Sequence, residues 1–138
     1  DLLVKGSRPL RGISVGKEAI PRLVDEIPVL AVAGLFAHGE TVIQGAEELR
    51  LKESDRLKSI FLELKKMGAL IEELPDGLII RGCARLSGAE LESHGDHRIA
   101  MALSVATLFA ESESVIKGAE TVSISFPDFF TVLNELTC

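Results

Sequence analysis

The apolar positions of this chain fall into one pattern that is written twice. Leu30-Ala-Val-Ala-Gly-Leu-Phe-Ala-His-Gly-Glu-Thr-Val-Ile-Gln-Gly-Ala-Glu47 lies over Leu103-Ser-Val-Ala-Thr-Leu-Phe-Ala-Glu-Ser-Glu-Ser-Val-Ile-Lys-Gly-Ala-Glu120, 73 residues on, with 12 of 18 positions identical. Upstream, Leu2-Leu-Val-Lys-Gly6 answers Leu78-Ile-Ile-Arg-Gly82 at a shift of 76, so a short indel separates the blocks. Such self-similarity marks a repeat architecture. Each copy opens on an apolar strand, Leu2 to Lys5 or Leu78 to Arg81. A helix comes next that is apolar almost all round, at 27–37 or 99–110, and such a helix belongs in a core. The run Thr41-Val-Ile43 then predicts a strand from Glu40 to Gln44, and its counterpart is Glu113 to Lys117.

In the first copy Leu57, Ile60, Phe61, Leu64 and Met67 form one helical stripe, which Gly68 ends. Ala69 to Glu73 and Leu78 to Arg81 predict a hairpin about Pro75-Asp76-Gly77. The second copy closes with a short helix after Ser125-Phe-Pro, with Pro127 in its first turn. The expected fold class is α/β (α+β), built from βαβαββ units at approximately 1–76 and 77–138. No loop is long enough to be a separate linker.

Composition narrows the function classes. With 138 residues, 46% of them apolar and 26% charged, the chain is the size of one globular domain. A formal charge of −6 and the absence of Trp and Tyr argue against nucleic-acid binding and base-stacking platforms. The apolar runs fall short of a bilayer span, and no basic, apolar leader opens the chain, so neither a membrane anchor nor a secretory signal is expected. Cys83 and Cys138 have no metal or redox spacing and read as thiols in a reducing, cytoplasmic compartment. His38, His94 and His97 have no ligand spacing, and no nucleotide-binding loop or nucleophile triad appears, so neither metal nor cofactor is expected.

Three polar segments interrupt the pattern. In Glu48-Leu-Arg-Leu-Lys-Glu-Ser-Asp-Arg56, Lys52 and Arg56 are four apart and share a face at the start of a helix. Cations at the positive end of a helix dipole need a reason, and binding an anion is one. Glu53 projects between them and could move a proton. The alternative is a solvated capping turn, with Glu53 or Ser54 as the cap. In Gly95-Asp-His-Arg98, Asp96 suits an N-cap, while Arg98 again puts a cation at a helix start and His97 is open between hydrogen-bonding and chemical roles. Asp25 precedes the first apolar helix and could cap it. In the repeat alignment, however, Asp25 falls opposite Arg98, so equivalent positions carry opposite charges.

Together Val24-Asp-Glu-Ile-Pro-Val-Leu-Ala, Leu49-Arg-Leu-Lys-Glu-Ser-Asp-Arg, Gly95-Asp-His-Arg-Ile-Ala-Met-Ala and Ser125-Phe-Pro-Asp-Phe-Phe130 resemble the 5-enolpyruvylshikimate-3-phosphate (EPSP) synthase family. The resemblance runs along the whole chain, with the motifs in family order. It implies a two-domain enolpyruvyl transferase fold of six βαβαββ units, of which this chain holds about two, as part of the C-terminal domain. The missing N-terminal domain of the same enzyme is then a partner. The implied reaction moves the enolpyruvyl group of phosphoenolpyruvate to the 5-hydroxyl of shikimate 3-phosphate and releases phosphate. By matching motif, Asp25 would accept the hydroxyl proton and bind the shikimate ring, and Lys52 would bind shikimate 3-phosphate. Arg56 and Arg98 would hold phosphoenolpyruvate, with Glu53 and His97 as further proton-transfer residues. Ile124 replaces a Lys of some members, and Glu48 an Asn, which bears on subclass. A sister transferase acting on UDP-N-acetylglucosamine shares the fold but implies other anion motifs. A non-catalytic interaction module would leave the paired cationic helix starts unexplained.

Overall fold

A computed structural model describes residues 1–6, 9–82 and 85–137 of the chain. Cys83 and Cys138, expected to be free thiols, lie outside the described residues. The first unit begins with strand β1 (Ser14–Val15), a one-turn helix α1 (Ile20–Leu23) and helix α2 (Ile27–Leu35). Strand β2 (Glu40–Ile43), a 3-10 turn over Glu47–Leu51, helix α3 (Arg56–Lys66) and the hairpin β3 (Leu70–Leu74) and β4 (Gly77–Arg81) complete it. The second unit holds β5 (Glu90–Glu92), α4 (His97–Thr107), β6 (Val115–Lys117), a 3-10 turn over Ala119–Ile124 and α5 (Phe129–Thr137).

One sheet has the order β1-β2-β4-β3 and the other pairs β5 with β6. β1 runs parallel to β2, as β5 does to β6, so each unit contains a βαβ crossover. β4 sits antiparallel between β2 and β3, with Ile43 opposite Leu78 and Leu70 opposite Arg81. Gly77–Arg81 therefore shares its sheet with the strands before it. The 73-residue offset carries through the later elements, since the 3-10 turn at Glu47 recurs at Ala119 and the first residue of α3, Arg56, falls opposite the first residue of α5, Phe129.

Helix α2 is buried over most of its surface, as expected, with only Val29 clearly exposed. Ile27, Ala31, Val32 and Leu35 lie in one core with Leu57, Ile60 and Leu64 of α3 and Ile99, Leu103 and Ala106 of α4. Phe36 and Phe109, repeat equivalents, meet with ring centroids 4.7 Å apart. Helix α3 ends at Met67, and Gly68 takes the left-handed φ of +87° expected of a terminating glycine. No helix among the described residues is long and apolar enough to cross a membrane.

Two expectations are corrected. Leu2 to Lys5 does not form a strand; Leu2 is 89% exposed and the first strand is Ser14–Val15. Its repeat counterpart β4 is held by neighbours on both sides, whereas Leu2 to Lys5 pairs with nothing among the described residues. A lone strand has no ladder to join. Pro127 lies in a turn two residues before α5 rather than inside its first turn, with the Phe129 amide donating to the Phe126 carbonyl.

Candidate anion-binding site

The three helix starts converge. Asp55 caps α3, its carboxylate accepting from the Lys58 amide at 3.0 Å, so neither Glu53 nor Ser54 is the cap. Asp96 caps α4 through Oδ1, which accepts from the Arg98 amide at 2.9 Å. Asp25 caps nothing. Glu26 occupies the N-cap position of α2 without a side-chain bond. The Asp25 carboxylate instead reaches sideways to Arg56 Nη1 at 2.8 Å and to Arg98 Nη2 at 3.4 Å. Residues equivalent in the repeat thus touch in space.

Arg56 is the hub. Its side chain is only 1% exposed, and each guanidinium nitrogen donates to a different carboxylate. Nε bonds Asp96 Oδ2 at 2.8 Å, Nη1 bonds Asp25, and Nη2 bonds Glu53 Oε2 at 2.7 Å. Ser54 Oγ adds a bond to Asp96 Oδ2 at 3.0 Å. The cation at this helix start therefore has a reason within the chain. It offsets the dipole end by drawing in three acids, one of them, Asp96, completely buried. Asp25 and Glu53 remain 44% and 50% exposed, and they form the wet side of the cluster.

The charges set the protonation states. The Arg56 hydrogen bond holds the Asp25 carboxyl below its ordinary value of 3.8; partial burial opposes this, and Arg98 and Lys52 reinforce it. Burial pushes Asp96 up, but its bonds to Arg56, the Arg98 amide and Ser54 prevail and the net shift is downward. Both carboxylates are ionised at neutral pH. Burial disfavours the charge on Arg56, but Asp96 and Asp25 more than compensate.

Arg98 is less satisfied. Its Nε–H is buried without a hydrogen-bond partner among the described residues. Arg98 and Asp25 border a cavity of about 160 Å³ whose other walls include Val29, Met101 and Phe129. A buried, unspent guanidinium donor beside a cavity is what an anion site offers before it is filled. Lys52 does not share a helix face with Arg56 as expected: it lies in extended backbone between the 3-10 turn and α3, which starts only at Arg56. It is exposed, lies close enough to act on Asp25 by charge, and makes no ion pair among the described residues. His97 opens α4, half-buried, and forms no side-chain bond among the described residues. The structure thus joins Asp25, Glu53, Arg56 and Arg98 directly, brings in Lys52 through its charge, and leaves His97 adjacent but unconnected.

Sequence reasoning missed the second role of Asp96. Its cap and its ion pair use different oxygens, and only the cap is visible in local sequence. It also missed Arg50, which bonds Asp55 at 2.8 Å, Glu73 at 2.8 Å and the Leu74 and Pro75 carbonyls, tying the segment before α3 to the β3–β4 turn. Its partners are more than twenty residues away, apart from Asp55.

These features define a class. The enolpyruvyl transferase NikO from Streptomyces tendae superposes with a TM-score of 0.76 at 24% identity, over 94% of this chain and 29% of that one, so the chain has the enolpyruvyl transferase fold. EPSP synthase from Acinetobacter baumannii superposes with a TM-score of 0.91 at 43% identity, over 96% of this chain and 31% of that one. A 3-phosphoshikimate 1-carboxyvinyltransferase of Thermoanaerobacter sp. (strain X514) is 57% identical over 136 residues, 99% of this chain and 32% of the relative. One from Pelotomaculum thermopropionicum is 53% identical over 133 residues, 96% of this chain and 31% of that relative. The family profile of EPSP synthase (3-phosphoshikimate 1-carboxyvinyltransferase) matches residues 1–133, and the chain belongs to that family. It spans about a third of the length of these relatives.

Proposed function

We propose that this chain forms one wall of the active-site cleft of a cytoplasmic enzyme that transfers the enolpyruvyl group of phosphoenolpyruvate to the 5-hydroxyl of shikimate 3-phosphate, releasing phosphate. In this reading residues 1–138 are part of the C-terminal domain, with two repeat units that meet near residue 76 in the sequence, β4 being counted with the first in the fold, and the N-terminal domain of the same enzyme supplies the facing wall. The observation that carries the reading is the unpartnered Nε–H of Arg98 beside the Asp25–Arg56 pair at the rim of a cavity.

Arg98 and Arg56 bind phosphoenolpyruvate and Lys52 binds shikimate 3-phosphate. Arg56 has already committed three N–H groups to carboxylates. A guanidinium carries five, so the ligand takes the two left or displaces the half-exposed Asp25 and Glu53. That exchange has a chemical consequence. With Arg56 and Arg98 neutralising it, Asp25 is a weak base. An anionic substrate that engages those cations removes the charge that depresses its pKa and raises its proton affinity where the 5-hydroxyl must be deprotonated. Glu53, freed from Arg56 by the same exchange, is placed to deliver a proton, and His97 assists.

The test uses the full-length protein, by calorimetric titration with phosphoenolpyruvate in the presence of shikimate 3-phosphate. Arg98→Ala removes charged hydrogen bonds worth roughly 1.5–3 kcal/mol, so affinity falls about tenfold or more. Unchanged affinity takes Arg98 out of the site. The 138-residue chain alone releases no phosphate, since it carries one wall of the cleft; robust turnover by it contradicts the reading.

A further inference from the structure

Glu63 lies outside the Arg56 cluster, yet its side chain is only 1% exposed. A buried carboxylate needs partners, and those of Glu63 come from an unexpected direction. Lys66 Nζ, on its own helix, bonds Oε2 at 2.7 Å. The other two donors belong to the next repeat: the Glu92 amide bonds Oε2 at 3.0 Å and His94 Nε2 lies 2.8 Å from Oε1. His94 is the one non-glycine residue with positive φ among the described residues, at +54°, a conformation that needs outside support.

The segment from Glu92 to Asp96 is therefore held to α3 at two points. Glu63 holds Glu92 and His94, and Arg56 holds Asp96. Arg56 and Glu63 are two helical turns apart, about 10 Å, on one face. The segment runs along that face in the opposite direction and hands over to α4 at Asp96. His97 and Arg98 come directly after it in the chain.

We propose that Glu63 is a positioning residue for the phosphoenolpyruvate site: it docks the 92–96 segment of the second unit onto α3 of the first and so fixes where Arg98 stands relative to Arg56. It touches no substrate. The proposal rests on the transferase function proposed for the Arg56–Arg98 site, and the experiment separates the two. In the full-length enzyme, Glu63→Gln keeps the volume but removes the charge, and its single carbonyl oxygen cannot accept from Lys66, the Glu92 amide and His94 together. The KM for phosphoenolpyruvate rises about tenfold while that for shikimate 3-phosphate stays within twofold. His94→Asn, which tolerates positive φ and changes an accessible side chain, gives a smaller rise. Adding it to Glu63→Gln brings no further loss, because both act through one contact. Lys66→Ala leaves the kinetics unchanged, since Lys66 does not touch the docked segment.

Unchanged KM in either single variant, multiplicative effects in the double variant, or a defect in Lys66→Ala equal to that of Glu63→Gln would overturn the proposal. Where Glu63→Gln does not fold, His94→Asn decides it alone. Absence of turnover in the unmutated enzyme sinks the transferase reading and leaves the docking testable by hydrogen exchange. There, amides 92–98 exchange faster in Glu63→Gln or His94→Asn than in the parent, and equal rates overturn the proposal.

Discussion

Arg56 and Asp96 are the pair on which the site is hung, and their burial decides what mutation does. Removing one partner of a buried ion pair leaves the other charge uncompensated, at a cost of roughly 3–5 kcal/mol. Asp96→Ala should lose about that much in urea unfolding, and also its cap on α4. Asp25→Ala should lose much less, because Asp25 is half exposed and water can replace it at Arg56. The same carboxylates set the acid limb of stability. Asp25 and Asp96 have native pKa values below their ordinary 3.8 and Glu63 below its ordinary 4.5, the last because Lys66, His94 and the Glu92 amide outweigh its burial. The unfolded chain therefore binds protons first as pH falls. The stabilisation is complete above about pH 4.5 and is lost on acidification through the depressed native values. Urea midpoints should be flat from about pH 7 to 5 and fall steeply below about 4, and Asp96→Asn should flatten the fall. An equally steep fall in Asp96→Asn would show that other groups govern it.

At the level of elements, each polar motif does two things at once. Asp55 caps α3 and receives Arg50; Asp96 caps α4 and receives Arg56. Asp55→Ala should cost about 1 kcal/mol as a cap, readable as a lower urea midpoint. Gly82 closes β4 against the turn before β2, where an added Cβ would collide with the Ala37 carbonyl oxygen. Gly82→Ala should therefore destabilise by more than the cap change, since neither backbone can yield without breaking the Gly82–Gly39 hydrogen bond. Much of this was legible in the sequence. The apolar helices expected at 27–37 and 99–110 (the second runs from His97 to Thr107), the stripe from Leu57 to Met67 and the hairpin about Asp76 follow from periodicity and turn chemistry. The strand expected at Leu2 to Lys5 fails, because local composition specifies the tendency to pair and says nothing of a partner. The candidate site was half legible. Charged residues at helix starts are local facts, so Arg56 and Arg98 stood out; Lys52 stood out with them although it lies in extended backbone before α3. The contacts of Arg56 with Asp25 and Asp96, 31 and 40 residues away, are products of the packing of α2, α3 and α4.

At the scale of the molecule, the repeat leaves a surface unfinished. α2 and α4 are equivalent helices packed against each other, and their joint outer face is a groove of about 430 Å³ lined by Leu10, Val29, Val32, Phe36, Val105 and Phe109. Phe109 is 56% exposed there and Leu10 52%. α5, the counterpart of α3, has no buried residue, although α3 buries Leu57, Ile60 and Leu64. In the proposed architecture of six units in two domains, a further unit of the same domain covers this groove. The isolated chain has no such cover. Contiguous apolar surface of this kind drives association, and a net charge of −6 spread over the surface opposes it only weakly at physiological salt. The 138-residue chain should therefore sediment as concentration-dependent oligomers. Phe109→Glu, which puts a charge in the groove, should return it to a monomer without changing its helix content by circular dichroism. A monodisperse parent chain at high concentration would show that the groove needs no further unit to cover it.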